Sequence, residues 1–431
     1  MRKVFLRVFA GLFAAAFMAA SVSYAGTTEI VSVDSNGKLG NGNSDDPTIS
    51  ADGRYVAFSS AADNLVQGDT NGKSDIFVHD RQTGETKIIS KDSNGKLGNN
   101  NSYVPAISAD GRYVAFRSLA GNLVQGDTNG KSDIFVHDRQ TGETIIISKD
   151  SSGKQGNNHS YEPAISADGR FVAFWSLASN LVPGDTNDKE DIFVHDRKTG
   201  ETKIISKDSN GKPGNNFSRD PAISADGRFV AFWSLASNLV PGDTNDKEDI
   251  FVHDRKTGET KIISKDSNGK PGNNFSRDPA ISPNGRYVAF RSGASNLVPG
   301  DTNDKADIFV HDRQTGKTEI ISKDSAGTQG TGPSSLPAIS ADGRFVAFES
   351  AANNLVPNDT NGETDAFVHD RQTGKTEIVS KDSTGIQGNG GRCFIPVISG
   401  DGRYVAFESD AGNLVPGDTN GKSDVFVRDR D

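Results

Sequence analysis

The chain has 431 residues, a net charge of −10, 33% hydrophobic residues and a single cysteine, Cys393. Such an acidic surface disfavours nucleic acid and anionic membranes, which draw their partners through Lys and Arg, and one cysteine cannot close an internal disulfide. A length that would ordinarily suggest two or three domains is here divided evenly by a repeat, so one domain is the expectation.

Residues 1–25 read as an export signal: Arg2, Lys3 and Arg7, then an apolar run, then Ser23-Tyr24-Ala25 as a small-residue cleavage site. Its removal takes Lys+Arg from 47 to 44 against 57 Asp+Glu, a net charge of −13. No later stretch approaches the roughly 18 apolar residues of a membrane span. Residues 26–431 are expected to be an exported, soluble, monomeric domain, periplasmic or extracellular, with no nucleic-acid partner.

The segment Thr28–Ser32 reads as a lone strand. A block of about 58 residues then recurs seven times, its Pro-x-Ile-Ser anchor falling at Ile49, Ile107, Ile165, Ile223, Ile281, Ile339 and Ile398. Residues 163–220 and 221–278 are identical, the mark of a recent duplication. In the second block Pro105–Ser108 and Tyr113–Ser118 flank the hairpin signal Asp110-Gly111 and form strands A and B. Asp133–Asp138 and Thr144–Ser148 flank a second short turn and form strands C and D. Strands B and C carry apolar residues at adjacent positions, as strands do when both faces of a sheet are covered.

Four antiparallel strands per block, each sheet covered on both faces, describe a propeller blade. The predicted fold is therefore all-β, a seven-bladed β-propeller. The last block stops at a C strand, Asp424–Arg428; pairing it with Thr28–Ser32 completes the seventh blade and removes the open edges.

Ile107-Ser-Ala-Asp-Gly-Arg-Tyr-Val-Ala-Phe116 followed by Asp133-Ile-Phe-Val-His-Asp138 resembles the WD-like repeat of TolB-type propellers. The resemblance implies a propeller serving as a binding scaffold. It differs from TolB in having seven repeats instead of six blades, and no Gly-x-Ser-x-Gly of a propeller-linked hydrolase occurs.

The B-to-C and D-to-A connections are long and emerge on one face, where recognition loops belong. Every B-to-C loop contains Asp-Thr-Asn-x-x-x-Asp: Asp69/Asn71/Asp75, Asp127/Asn129/Asp133, Asp185/Asn187/Asp191, Asp243/Asn245/Asp249, Asp301/Asn303/Asp307, Asp359/Asn361/Asp365 and Asp418/Asn420/Asp424. Alternate oxygen ligands suit Ca²⁺; the same side chains also close turns onto backbone N–H groups. His79, His137, His195, His253, His311 and His369 share one strand C position, with Arg428 in the seventh blade. One per blade is too dispersed for a single metal and fits a repeated packing hydrogen bond.

Two series vary among blocks otherwise alike. At the end of strand B stand Ser59, Arg117, Trp175, Trp233, Arg291, Glu349 and Glu408; before strand A stand Asp45-Asp46, Tyr103-Val104, Tyr161-Glu162, Arg219-Asp220, Arg277-Asp278, Ser335-Leu336 and Phe394-Ile395. Arg, Trp and Tyr dominate recognition hot spots, so Tyr103, Arg117, Tyr161, Trp175, Arg219, Trp233, Arg277 and Arg291 are the candidate ligand-binding residues. The functional expectation is a non-catalytic module, not an enzyme, that binds a protein, peptide or glycan and requires no cofactor, Ca²⁺ being optional. The competing readings are a lyase or hydrolase using Arg, Tyr, His159 and acids around the channel, and a calcium-stabilised structural surface protein.

Overall fold

Gly111, at φ 71°, closes strand A (Ser102–Ile107) onto strand B (Tyr113–Ser118) in the second blade. Strand C (Asp133–Asp138) and strand D (Thr144–Ile146) follow through the turn at Gly142. The same plan produces seven four-stranded antiparallel sheets and no helix among the described residues, 26–389 and 392–430 of this computed structural model. The expected export signal at 1–25 lies outside them.

The seventh sheet joins Cys393–Ile398, Tyr404–Ser409 and Asp424–Asp429 to Thr28–Ile30 from the other end, with Thr28 opposite Arg428 and Ile30 opposite Phe426. Strand A of each blade contacts strand A of the next, including Ser44–Ile49 against Cys393–Ile398. The ring is therefore closed, with the A strands innermost around the axis.

Core layers lie between blades. Phe116 and Phe135 of the second blade, fully buried with ring centroids 5.9 Å apart, pack against Ala57, Ile76 and Val78 of the first. The small Ala57 lets the sheets approach. On the short-turn face Arg139 lies 4.2 Å above the Tyr55 ring of the preceding blade and donates to Gly111 O, while Arg112 forms two bonds to Asp138. Arg81 clasps Tyr404 in the same way across the closure.

His137 pairs through Nδ1 with Thr144 Oγ1 (2.8 Å), and that hydroxyl donates to Lys91 O of the preceding blade. The histidine ring is thus a set of blade-packing contacts; Arg428 Nη1 donates to Thr28 Oγ1 in its place in the seventh blade.

Two elements differ from their predicted bounds. Strand D is shorter because Lys149 N turns back to Ile147 O and the chain enters a small hairpin closed at Lys149 and Gln155. Strand A is longer. It begins at Ser102, so the variable pair Tyr103-Val104 lies inside the strand instead of before it. Pro105 has no N–H to give the ladder, so the register breaks between Tyr103 and Ala106 and Val104 is held at φ 50°. Asp46, Glu162, Asp220, Asp278, Leu336 and Ile395 occupy the same left-handed bulge, which costs a β-branched residue about 1–3 kcal/mol. That bulge aims the site.

Candidate functional site

The bulge brings the two variable series together as cross-strand neighbours at the long-loop end of the channel: Tyr103 opposite Arg117, Tyr161 opposite Trp175, Arg219 opposite Trp233 and Arg277 opposite Arg291. Contacts then run from blade to blade. The Arg117 guanidinium lies 5.2 Å over Tyr103 and 5.3 Å over Tyr161; Tyr161 stacks on Trp175 at 4.2 Å. Arg219 covers Trp175 at 5.1 Å, and Arg277 covers Trp233 at 5.3 Å. All eight candidate residues belong to this arc across blades two to five.

Within it their placements differ. Trp175 and Trp233 are only 8% and 5% exposed and pack into inter-blade cores, so they underlie the arginines. Arg219 and Arg277 keep 38% and 40% of their side chains exposed, and each is fixed by a glutamate of the preceding blade, Glu190 at 2.8 Å and Glu248 at 2.6 Å. The sequence reading missed these glutamates. Their signal was present: the residue before the last loop aspartate is acidic only in the two blocks that precede Arg219 and Arg277.

A second set of residues was noted as variable but not recognised as a site. Six blades each place a carboxyl around the channel. Trp175 Nε1 donates to Glu162 (2.7 Å), Trp233 Nε1 to Asp220 (2.5 Å) and Ser59 Oγ to Asp46 (3.3 Å), while Arg291 Nε lies 2.9 Å from Asp278. Where the bulge residue is Leu336 or Ile395, the acid moves to strand B as Glu349 or Glu408. Bulge N–H groups reach these acids: Asp46 N donates to Glu408 and Ile395 N to Glu349, both at 3.3 Å. The second blade has Val104 and Arg117 instead. Among the described residues the buried Nε atoms of Arg117, Arg219 and Arg277 have no partner.

Burial, followed by the hydrogen-bonded carboxyl of Glu162, holds Asp220 well above the usual carboxylate range. Burial and Asp45 push Glu408 up to about 7, and burial raises Asp46, Asp278 and Glu349. The mouth therefore combines carboxyls that hold protons near neutrality, guanidinium groups and aromatic faces. It can transfer protons and pair with anions. Cys393 is buried and its thiol is pushed up by that burial. His159 stays at the rim, where its Nδ1 accepts from Ser132 N.

The Asp-Thr-Asn loops, expected as optional Ca²⁺ sites, are closed on themselves. Asn71 Nδ2 donates to Asp75 Oδ2 (2.7 Å) and to Gly98 O, while Ser90 Oγ donates to Asp75 Oδ1 (2.5 Å). The Asn–Asp bond recurs at Asn129–Asp133, Asn187–Asp191, Asn245–Asp249, Asn303–Asp307 and Asn420–Asp424. The sixth blade closes differently. Asn361 Nδ2 donates to Gly388 O (3.2 Å), and Gln387 Nε2 bridges Asp359 (2.8 Å) and Asp365 (2.7 Å). Among the described residues no three His, Cys, Asp or Glu side chains are grouped to hold a metal ion. With the strand C carboxylates already taken by N–H and O–H donors, the Tm is expected to be the same in excess Ca²⁺ and in chelator. A clear rise with Ca²⁺ would assign the loops to the cation, because a ligand of the native state stabilises by mass action.

The same burial predicts a pH dependence. It pushes Asp75, Asp133, Asp307 and Asp424 up to about 6 and Asp191 and Asp249 up to about 7, from 3.8. It pushes His137, His195, His253, His311 and His369 down to about 4, from 6.5. From about pH 4 to 6.5 the folded state holds aspartate protons that the unfolded chain lacks and lacks histidine protons that it holds, so the two sets offset. Above about 6.5 the histidines no longer contribute, and the stability that these aspartates and Glu408 contribute at lower pH is lost as pH rises through 6–7. The urea midpoint is expected to be higher at pH 6 than at pH 8; a midpoint that rises across that interval contradicts the burial of these aspartates.

No protein family and no curated relative matches the sequence. Several solved structures share the fold. An oligogalacturonate lyase in complex with manganese aligns at TM-score 0.56 and 12% identity, over 95% of this chain and 94% of that one. An acylaminoacyl peptidase aligns at TM-score 0.55 and 14% identity over 90% of this chain. TolB from Acinetobacter baumannii aligns at TM-score 0.41 and 17% identity over 70% of this chain. The chain spans 51% of the peptidase and 58% of TolB. At these identities the likeness to the lyase and the peptidase is one of fold.

Two expectations are corrected here. The non-catalytic binding module, and with it the statement that the chain is not an enzyme, rested on the scaffold role implied by the resemblance. Lyase and peptidase chains carry the same propeller, the lyase over nearly its whole length, so this fold gives no ground for a non-catalytic reading.

Proposed function

We propose that the chain is a carbohydrate-active enzyme, a lyase that cleaves uronate-containing glycans by β-elimination at the long-loop mouth of the channel. The observation that carries this reading is the meeting of two carboxyls from neighbouring blades, Glu162 and Asp220, beside Arg219. Arg219 pairs with the uronate carboxylate and acidifies the C5–H next to it. A carboxylate of the pair takes that proton, the C5–H electrons form the C4–C5 double bond, and the C4–O bond breaks. The departing oxygen receives the proton held by Asp220, so the products are an unsaturated uronate and a free hydroxyl. Aromatic rings and guanidinium planes of the arc offer faces to the sugar.

Hydrolysis by two carboxylates fits less well. That chemistry places the carboxyls about 5–9.5 Å apart around the scissile bond, whereas Glu162 and Asp220 are hydrogen-bonded to each other. The residues at the mouth also do not fit a bound cation: no three carboxyls group there among the described residues, and arginines lie between them. No step is routed through a metal. Export by residues 1–25 would bring the enzyme to polymers outside the cytoplasm.

The test is an assay of residues 26–431 against polygalacturonate, alginate, glucuronoxylan and hyaluronan, following the ultraviolet absorbance of the unsaturated uronyl product. Rising absorbance on at least one is expected. New reducing ends without absorbance would make the enzyme a hydrolase, and neither signal on any uronate would sink the reading.

A further inference from the structure

The duplication writes one arrangement of side chains twice, side by side. Its first copy is Trp175, Glu190 and Arg219; its second is Trp233, Glu248 and Arg277, one blade on. The copies superpose in their contacts: guanidinium over indole at 5.1 and 5.3 Å, Nη2 to glutamate at 2.8 and 2.6 Å, side chains 38% and 40% exposed. In both, Nε is buried without a partner. Each guanidinium is thus oriented by an indole beneath it and one carboxylate beside it, and retains exposed surface toward the mouth.

The variable positions of blades six, seven and one contribute acids and no arginine. Blades six, seven and one present Glu349, Glu408 and Asp45, all raised by burial, with Asp45 adding to the rise at Glu408, so a further negative charge there is costly. An anionic chain crossing the channel would meet them. One lying along blades four and five would meet two equivalent cations in succession.

We infer that Arg219 and Arg277 form two equivalent carboxylate subsites that take consecutive acidic residues of one glycan, so the substrate is a polyuronate with a charge on successive sugars instead of a neutral chain with isolated uronates. This rests on the lyase reading for the reaction at Arg219, and it adds Arg277 as a specificity-determining residue one subsite away.

The experiment is a calorimetric titration of residues 26–431 with galacturonate, digalacturonate and trigalacturonate, with maltotriose as the neutral control, scored separately from turnover. Affinity is expected to rise at least tenfold from one unit to three and to be at least tenfold weaker for maltotriose. R277A should cut trigalacturonate affinity about tenfold, to about the level of galacturonate. E248Q keeps the cation but removes its internal partner, and should keep trigalacturonate affinity within about threefold of the parent. That variant separates a ligand-binding arginine from one that only braces the blade, since bracing alone would make R277A and E248Q lower the Tm alike and leave binding untouched. Equal affinity for one and three units, no binding of any uronate, or unchanged trigalacturonate affinity in R277A would overturn the inference. Length-dependent binding without cleavage of any uronate polymer would overturn the lyase reading and leave the two subsites standing.

Discussion

Deleting residues 26–33 is expected to open the ring and lower the Tm by well over ten degrees, or to drive the protein into aggregates. The segment holds more than its three ladder residues. Val31 is fully buried in the core layer between the seventh and first blades, and its N–H bonds Val425 O at 2.8 Å. Ser32 Oγ donates to Asp424 (2.6 Å) and accepts from Val425 N (3.1 Å). Glu29 pairs with Arg81 of the first blade at 2.5 Å, and Thr28 Oγ1 donates to Lys381 O of the sixth. Burying one Val is worth about 1.5–3 kcal/mol and each hydrogen bond about 0.5–1.5 kcal/mol. The sum approaches the roughly 5–15 kcal/mol that stabilises a whole domain. Removal also bares Asp424–Asp429 as an edge, which invites pairing with other chains. Differential scanning calorimetry and size-exclusion chromatography of the truncated protein are the checks; a monomer with unchanged Tm would mean that the ring does not depend on its closing strand.

Replacing Asp220 by Asn or Glu162 by Gln is expected to lower kcat/KM on the cleaved uronate by about 10²–10⁴-fold, the range of a lost general acid or base. The two variants keep side-chain shape, and Trp233 and Trp175 still find an amide oxygen to donate to. Stability should separate inactivity from unfolding. The folded Asp220 pKa is raised from 3.8 to about 8, so the folded state keeps a proton that the unfolded chain has lost. The stability tied to that proton is complete below about pH 4 and is lost as pH rises toward 8. An amide side chain at position 220 does not titrate and has no such loss, so D220N should gain stability relative to the parent between pH 5 and pH 8. Parent activity should fall above about pH 8, where Asp220 loses its proton. Undiminished activity in both variants would remove the carboxyl pair from the reaction.

The blade plan was legible in the sequence because its signals are local. Asp110-Gly111 specifies a hairpin whatever surrounds it, adjacent apolar residues such as Ala115 and Phe116 announce a sheet covered on both faces, and Thr28–Ser32 without a local partner announces the closure. The histidine series could be read as packing for the same reason, one residue per blade at a fixed strand position.

Legibility ended where the chain leaves its own repeat. Both variable series could be picked out, yet the pair Arg219-Asp220 was read as lying before strand A. Its place inside the strand depends on a bulge that Pro221 forces only once strand B has paired with it. The carboxyl ring was invisible because its members come from strand A in four blades and from strand B in two, so no single column of the repeat is acidic. Trp175 finds Glu162 13 residues away, and Arg219 finds Glu190 29 residues away in the preceding blade. The seven blades were legible in the sequence through turn chemistry and runs of adjacent apolar residues acting within about ten residues, and their closure through two strands, Thr28–Ser32 and Asp424–Arg428, that lack local partners. Which acids meet, which arginines stand exposed and which tryptophans are buried beneath them were settled only by tertiary structure, because those properties depend on burial and on charges that neighbouring blades supply.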